Sequence, residues 1–116
     1  MLIFDIEIYR NYFLASFMND KGQVCHIEMR GDGKLEVSKL AKLMRDNITL
    51  GFNSNSYDLY MVAAALENRS CAELKALSNE IIMSNLPAWK SAKVTIPRTW
   101  DTIDIIDVLQ GQASLK

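Results

Sequence analysis

The first nine residues, Met1-Leu2-Ile3-Phe4-Asp5-Ile6-Glu7-Ile8-Tyr9, read as an apolar strand interrupted at two positions by carboxylates. Strand side chains alternate between faces, so Asp5 and Glu7, two apart, project from one side of a sheet within reach of one cation. A half-buried strand would place apolar residues at both positions, and two acids there repel unless positive charge sits between them. A metal ion is the natural third partner. The competing explanation is an edge strand that shows an ordinary solvated face.

Beyond this stretch the chain alternates through two more strands. The first strand is expected over Leu2 to Ile8, a tight turn at Tyr9-Arg10-Asn11, a second strand over Tyr12 to Met18, a turn at Asn19-Asp20-Lys21-Gly22 and a third strand over Gln23 to Met29. His26, the sole histidine, falls in the third strand, where a surface or hydrogen-bonded residue is the expectation instead of a ligand. After Gly31-Asp32-Gly33, the residues Val37, Leu40, Ala41 and Met44 recur at helical spacing, with Lys34, Lys39, Lys42 and Arg45 on the other faces. Ile48 to Phe52 suits a fourth strand, parallel to a neighbour because a helix precedes it. Ser56 is the expected N-cap of a second helix with the stripe Leu59, Val62, Ala63 and Leu66, which places Asp58 in its first turn. Ser70-Cys71-Ala72-Glu73 has the form of a capping box and opens a third helix carrying Leu74, Leu77 and Ile81.

From Ala88 to Thr99 the pattern is irregular. Its interleaved Trp89, Lys90, Lys93 and Arg98 suit the guidance of a single nucleic-acid strand, although the favoured expectation is that Trp89 and Trp100 both cap the core. Thr102 to Leu109 reads as a fifth strand, Gln110 to Ala113 as a loop, and Ser114-Leu115-Lys116 as the start of another helix. The element order is β-β-β-α-β-α-α-β, consistent with a mixed sheet whose first strand is central. A domain seldom stops where a helix begins, so residues 1–116 are expected to be a single but incomplete domain.

Two stretches together carry a resemblance. Asp5-x-Glu7 on a first strand, followed some way on by Gly51-Phe52-Asn53-x-x-x-Tyr57-Asp58, resembles the first two motifs of the DEDD-type 3′–5′ exonucleases, which share the ribonuclease-H-like fold. The nearest likeness is to the proofreading exonuclease domains of viral and phage DNA polymerases, where Asp-Ile-Glu leads into an aromatic-rich second strand, as Tyr9 to Met18 does here. The resemblance spans most of the chain. The family's third motif, a Tyr or His followed by Asp, is not among the 116 residues.

What this resemblance implies is a two-metal phosphodiesterase using Mg²⁺ or Mn²⁺ at a DNA 3′ end. Asp5 would bridge both ions, Glu7 would bind the ion that activates water, and Asp58 would support the second ion through water. The backbone at Ile6, with Phe52, Asn53 and Tyr57, would hold the terminal nucleotide. Without the fourth acid, one metal position is expected to be weakened and activity impaired. Asp101, Asp104 and Asp107 do not have the spacing of that motif and are expected to be structural or surface residues.

Composition bounds the partners. A net charge of −1 lacks the basic excess of a protein that grips duplex DNA through phosphates, so a polymerase domain in cis or in trans is expected to deliver the strand. There is no uninterrupted run of about 18 apolar residues and no secretory leader, so a soluble, intracellular chain without membrane contact is the expectation, and the resemblance implies a viral protein in the host cytoplasm. Cys25 and Cys71 lack Cys-x-x-Cys spacing and read as unpaired thiols in a reducing compartment. An uncovered sheet face is expected to promote self-association. Two alternatives stand beside the exonuclease: another ribonuclease-H-like nuclease, such as a resolvase or ribonuclease H, and a catalytically inactive polymerase-associated interaction module.

Overall fold

The computed structural model describes residues 1–114, with side chains through Leu109. Its elements are β1 (Leu2–Tyr9), β2 (Tyr12–Met18), β3 (Val24–Arg30), α1 (Val37–Asp46), β4 (Ile48–Gly51), a 3₁₀ turn at Ser54–Ser56, α2 (Asp58–Ala65), α3 (Cys71–Met83), α4 (Ala88–Ser91), β5 (Asp101–Asp104) and α5 (Ile105–Ser114). The strands form one mixed sheet in the order β3-β2-β1-β4-β5. β1 to β3 pair antiparallel, while β4 is parallel to both β1 and β5. This is the expected α/β, ribonuclease-H-like arrangement, with β1 central.

Strict alternation builds the meander. Phe4, Ile6 and Ile8 of β1 face the same way as Phe17, Ala15 and Phe13, their register partners on β2, and Ile27 and Met29 continue the layer on β3. All of these side chains are buried, because α2 and α3 cover that face. The opposite face carries Ile3, Asp5 and Glu7, each exposed.

α2 is buried almost all round, from Asp58 and Leu59 through Met61 to Ala65, so it is a core helix and not the one-sided stripe expected from its sequence. Leu66 lies just past its end. α3 begins at the expected capping box: Glu73 N–H donates to Ser70 Oγ at 3.1 Å, and Ser70 N–H donates to Glu73 Oε1 at 3.0 Å.

Several expectations need correcting. The fifth strand stops at Asp104, and Ile105 onward, including the Gln110–Ala113 segment expected as a loop, belongs to α5. The cause is local: Asp104 Oδ1 accepts from the Ile106 N–H at 3.1 Å, the bond of an N-cap that starts a helix. Ser114 closes α5, and Leu115 and Lys116 of the expected helix start lie outside the described residues. Ser56 does not cap α2; the 3₁₀ turn consumes it, and Tyr57 takes the N-cap position without a side-chain cap bond. Finally, Trp100 packs against the core, but Trp89 is 61% exposed. Among the described residues, no helix is long and apolar enough to cross a membrane.

Candidate functional site

From β1 the chain turns one way into β2 and β3, then crosses to β4 and β5 on the other side. β1 and β4 share only two rungs, Leu2↔Thr49 and Ile3↔Leu50, so the strands part after Ile3. In open α/β sheets, ligands bind at the carboxyl ends of strands where successive connections diverge, because the crevice between them is walled but unfilled. Asp5, Ile6 and Glu7 lie just beyond the last rung on β1, and the loop after β4 faces them across the gap.

That loop is held by residues from distant parts of the chain. A Cβ on Gly51 would stand 2.7 Å from Phe4 Cε1 and 2.8 Å from Ser54 Cβ, so only glycine lets the end of β4 pass so closely. Asn53 follows in the left-handed region with φ of 57°, which asparagine tolerates better than most residues. Asp104, the register partner of Gly51 on β5, is buried and accepts from Asn53 N–H at 2.8 Å and from Asn55 N–H at 2.9 Å. With the Ile106 N–H, this gives one carboxylate three backbone donors. The Asn55 side chain also donates to Asp107 Oδ2 at 2.9 Å. The Tyr57 hydroxyl shares a 2.6 Å hydrogen bond with Ser78 Oγ and so ties the start of α2 to α3.

Asp58 emerges from this frame only 8% exposed. Burial raises its carboxyl pKa to about 6, the charges of Asp5 and Asp104 add to the rise, and hydrogen bonds from the backbone of Asp58 itself and of Ile6 oppose it. Asp5 and Asp58, far apart in sequence, are therefore electrostatic neighbours. Glu7 points to the same side of β1 as Asp5, and its charge acts on Tyr12. Among the described residues, no three His, Cys, Asp or Glu side chains are grouped as a metal ion would require. The donor chemistry still fits a hard divalent cation. Carboxylate oxygens are what Mg²⁺ and Mn²⁺ take. Asp5 and Asp58 would hold such an ion, with Glu7 alongside.

Phe52, Asn53, Ser56, Tyr57, Asp58, Ile81 and Ile82 line a groove beside the acids. Three of the expected nucleotide-binding residues, Phe52, Asn53 and Tyr57, thus flank Asp58, and Phe52 is exposed. Ile6 differs, because its side chain is in the core and only its backbone faces the site. His26 is exposed and hydrogen-bonded to Ser16 Oγ at 3.0 Å. The residue that sequence reasoning left without a site role is Asp104. Its signal is the one that marks β1, a carboxylate set in a run of isoleucines. No protein-family model, curated protein or solved structure matches the chain.

Proposed function

We propose that the chain is a metal-dependent 3′–5′ exonuclease domain of the proofreading kind found in viral and phage DNA polymerases. The observation that supports it most is the electrostatic influence of Asp5 on the buried Asp58 where β1 and β4 part, beside a loop with the Gly-Phe-Asn-x-x-x-Tyr-Asp pattern. Magnesium or manganese bound there would supply the charge that stabilises an attacking water and a leaving 3′ oxygen. The chain's own part is to hold the ion and place the strand. Asp5 and Asp58 offer the carboxylates, the Ile6 backbone and Asn53 offer polar contacts to the terminal nucleotide, and Phe52 offers a ring for its base. Tyr57, bonded to Ser78, holds its side of the groove in place.

The reading is tested with a 5′-labelled single-stranded oligodeoxynucleotide and Mn²⁺. Stepwise shortening from the 3′ end is expected, slow because the third-motif acid is absent, and lost in Asp5→Ala and Asp58→Ala. Cutting of a closed circle or an RNA–DNA hybrid without 3′ trimming would favour a resolvase or ribonuclease H. An inactive polymerase-associated module is the second reading, favoured by the near-neutral net charge of −1. Calorimetry that detects no Mn²⁺ binding, with no shortening of the oligonucleotide, would decide for it.

A further inference from the structure

The two edges of the sheet are unlike. β5 is four residues long and carries Asp101 and Asp104, whereas β3 is seven residues long and pairs with β2 through seven consecutive rungs without a bulge. Among the described residues, no strand lies on the other side of β3. Natural sheets guard such an edge with proline, a bulge, an inward-pointing charge or charges on the outer face, because open backbone groups otherwise pair with another chain. β3 has only the last of these. Its inward residues are Cys25, Ile27 and Met29, and its outward ones are Val24, His26, Glu28 and Arg30. The backbone groups left open follow from bonds just past the strand ends, where Asn19 N–H donates to Gln23 O at 3.0 Å and Gly31 N–H donates to Asn11 O at 2.8 Å. Antiparallel bonding alternates, so Cys25, Ile27 and Met29 turn their N–H and C=O groups to β2, and Val24, His26, Glu28 and Arg30 turn theirs to the open side. Of these, only the Arg30 carbonyl is already engaged, by Gly33 N–H at 2.7 Å.

We propose that a second copy of this chain pairs antiparallel with β3, about a two-fold axis at Ile27, and joins the two sheets into one. In that register the strand is complementary to itself, as a two-fold contact requires. His26 stands opposite the second copy's Glu28 and Glu28 opposite its His26, so an imidazole meets a carboxylate at two rungs. Ser16 Oγ engages His26 Nδ1 at 3.0 Å and leaves Nε2 for this contact. The open residues Val24, His26, Glu28 and Arg30 then face one another, the arrangement in which opposed residues exchange both backbone hydrogen bonds. On the inner face Ile27 meets Ile27 and Cys25 meets Met29, which carries the apolar layer across the junction. Other registers are poorer. An axis at Glu28 sets two carboxylates face to face, which is destabilising, and an axis at His26 leaves Glu28 opposite valine. Only the Ile27 axis overlaps the whole strand. A foreign peptide would find the same open backbone, but the alternation of His26 and Glu28 favours a copy of the same sequence. β2 separates β3 from β1, so the carboxylate crevice stays open in the dimer and the inference does not depend on the exonuclease reading.

The test is amide hydrogen exchange on the intact chain at low and high concentration, read beside sedimentation. Pairing is expected to slow exchange at His26 and Glu28 by roughly tenfold at high concentration, with no change at Ile27, whose N–H is turned to β2 at either concentration. His26→Glu sets like charges opposite each other at two rungs and should weaken association roughly tenfold. Adding Glu28→Lys to it restores opposite charges and should recover the parent's affinity. Both positions are exposed, so the variants should melt as the parent does, and a melting curve checks this. A chain that sediments as a monomer at every concentration overturns the proposal. So does association with exchange at His26 and Glu28 unaltered, the result if copies stack through the face of Ile3 and Met18. Protection at these amides without recovery in the double variant overturns the Ile27 register.

Discussion

A carboxyl group shut away beside another acid holds its proton more tightly than one in water. Asp58, raised from the ordinary 3.8 to about 6, therefore takes up a proton on folding in that interval. Because the native state binds more protons than the unfolded state there, metal-free stability is highest below pH 4 as far as this group is concerned. It then falls as pH rises to 6, by about 3 kcal/mol. Urea midpoints at pH 4 and pH 7 should show the loss, and Asp58→Asn should flatten it. Asp5→Asn removes the neighbouring charge, so the apo protein should be unchanged or more stable at pH 7 while metal binding weakens. A marked loss of stability would place Asp5 in a structural hydrogen-bond network instead. Asp5 is visible in the sequence because a charge interrupts an apolar strand, whereas Asp58, an ordinary acid for the first turn of a helix, is visible only through its spacing from Asn53 and Tyr57. Their proximity, however, depends on where β1 and β4 part, which no local pattern specifies.

The loop between β4 and α2 depends on one side chain. Asp104→Ala would leave the N–H groups of Asn53, Asn55 and Ile106 without their acceptor, and each hydrogen bond to a charged group contributes about 1.5–3 kcal/mol. Destabilisation on the order of 3 kcal/mol is expected, together with faster amide exchange at Asn53 and Asn55. Gly51→Ala should cost about 1–3 kcal/mol, since its Cβ would press on Phe4 and Ser54, and thermal melting would measure it. The antiparallel meander and the capping box of α3 were legible because alternation and a four-residue motif are local signals. The segment Ile105-Ile106-Asp107-Val108-Leu109 was not, since five residues of this kind suit a buried strand and a helix equally. The bond from Asp104 to the Ile106 N–H decides between them. The clamp on Asn53 and Asn55 was hidden for a related reason: donors and acceptor are far apart in sequence and meet only when β5 pairs with β4. Trp89 was assigned to the core by residue type, but the small residues Ala88, Ser91 and Ala92 fill that role on α4.

At the scale of the molecule, the two sides of the sheet are unlike. One is covered by α2 and α3, while the other exposes the apolar row Ile3, Met18 and Val24, aligned across β1, β2 and β3. Concentration-dependent association is the expected result in light scattering, and Val24→Lys on the edge strand should suppress it. A parent chain that stays monomeric at every concentration would contradict this. The order in which the sheet is assembled has a further consequence. Asp5 and Asp58 are synthesised early, yet the acceptor that shapes the loop between them arrives only with Asp104. A nascent chain leaving the ribosome would carry both acids for some time before the loop between them is fixed. Translation products that stop short of β5 would then lack the carboxylate that fixes the loop, so the crevice takes its final shape only once the whole sheet has been made.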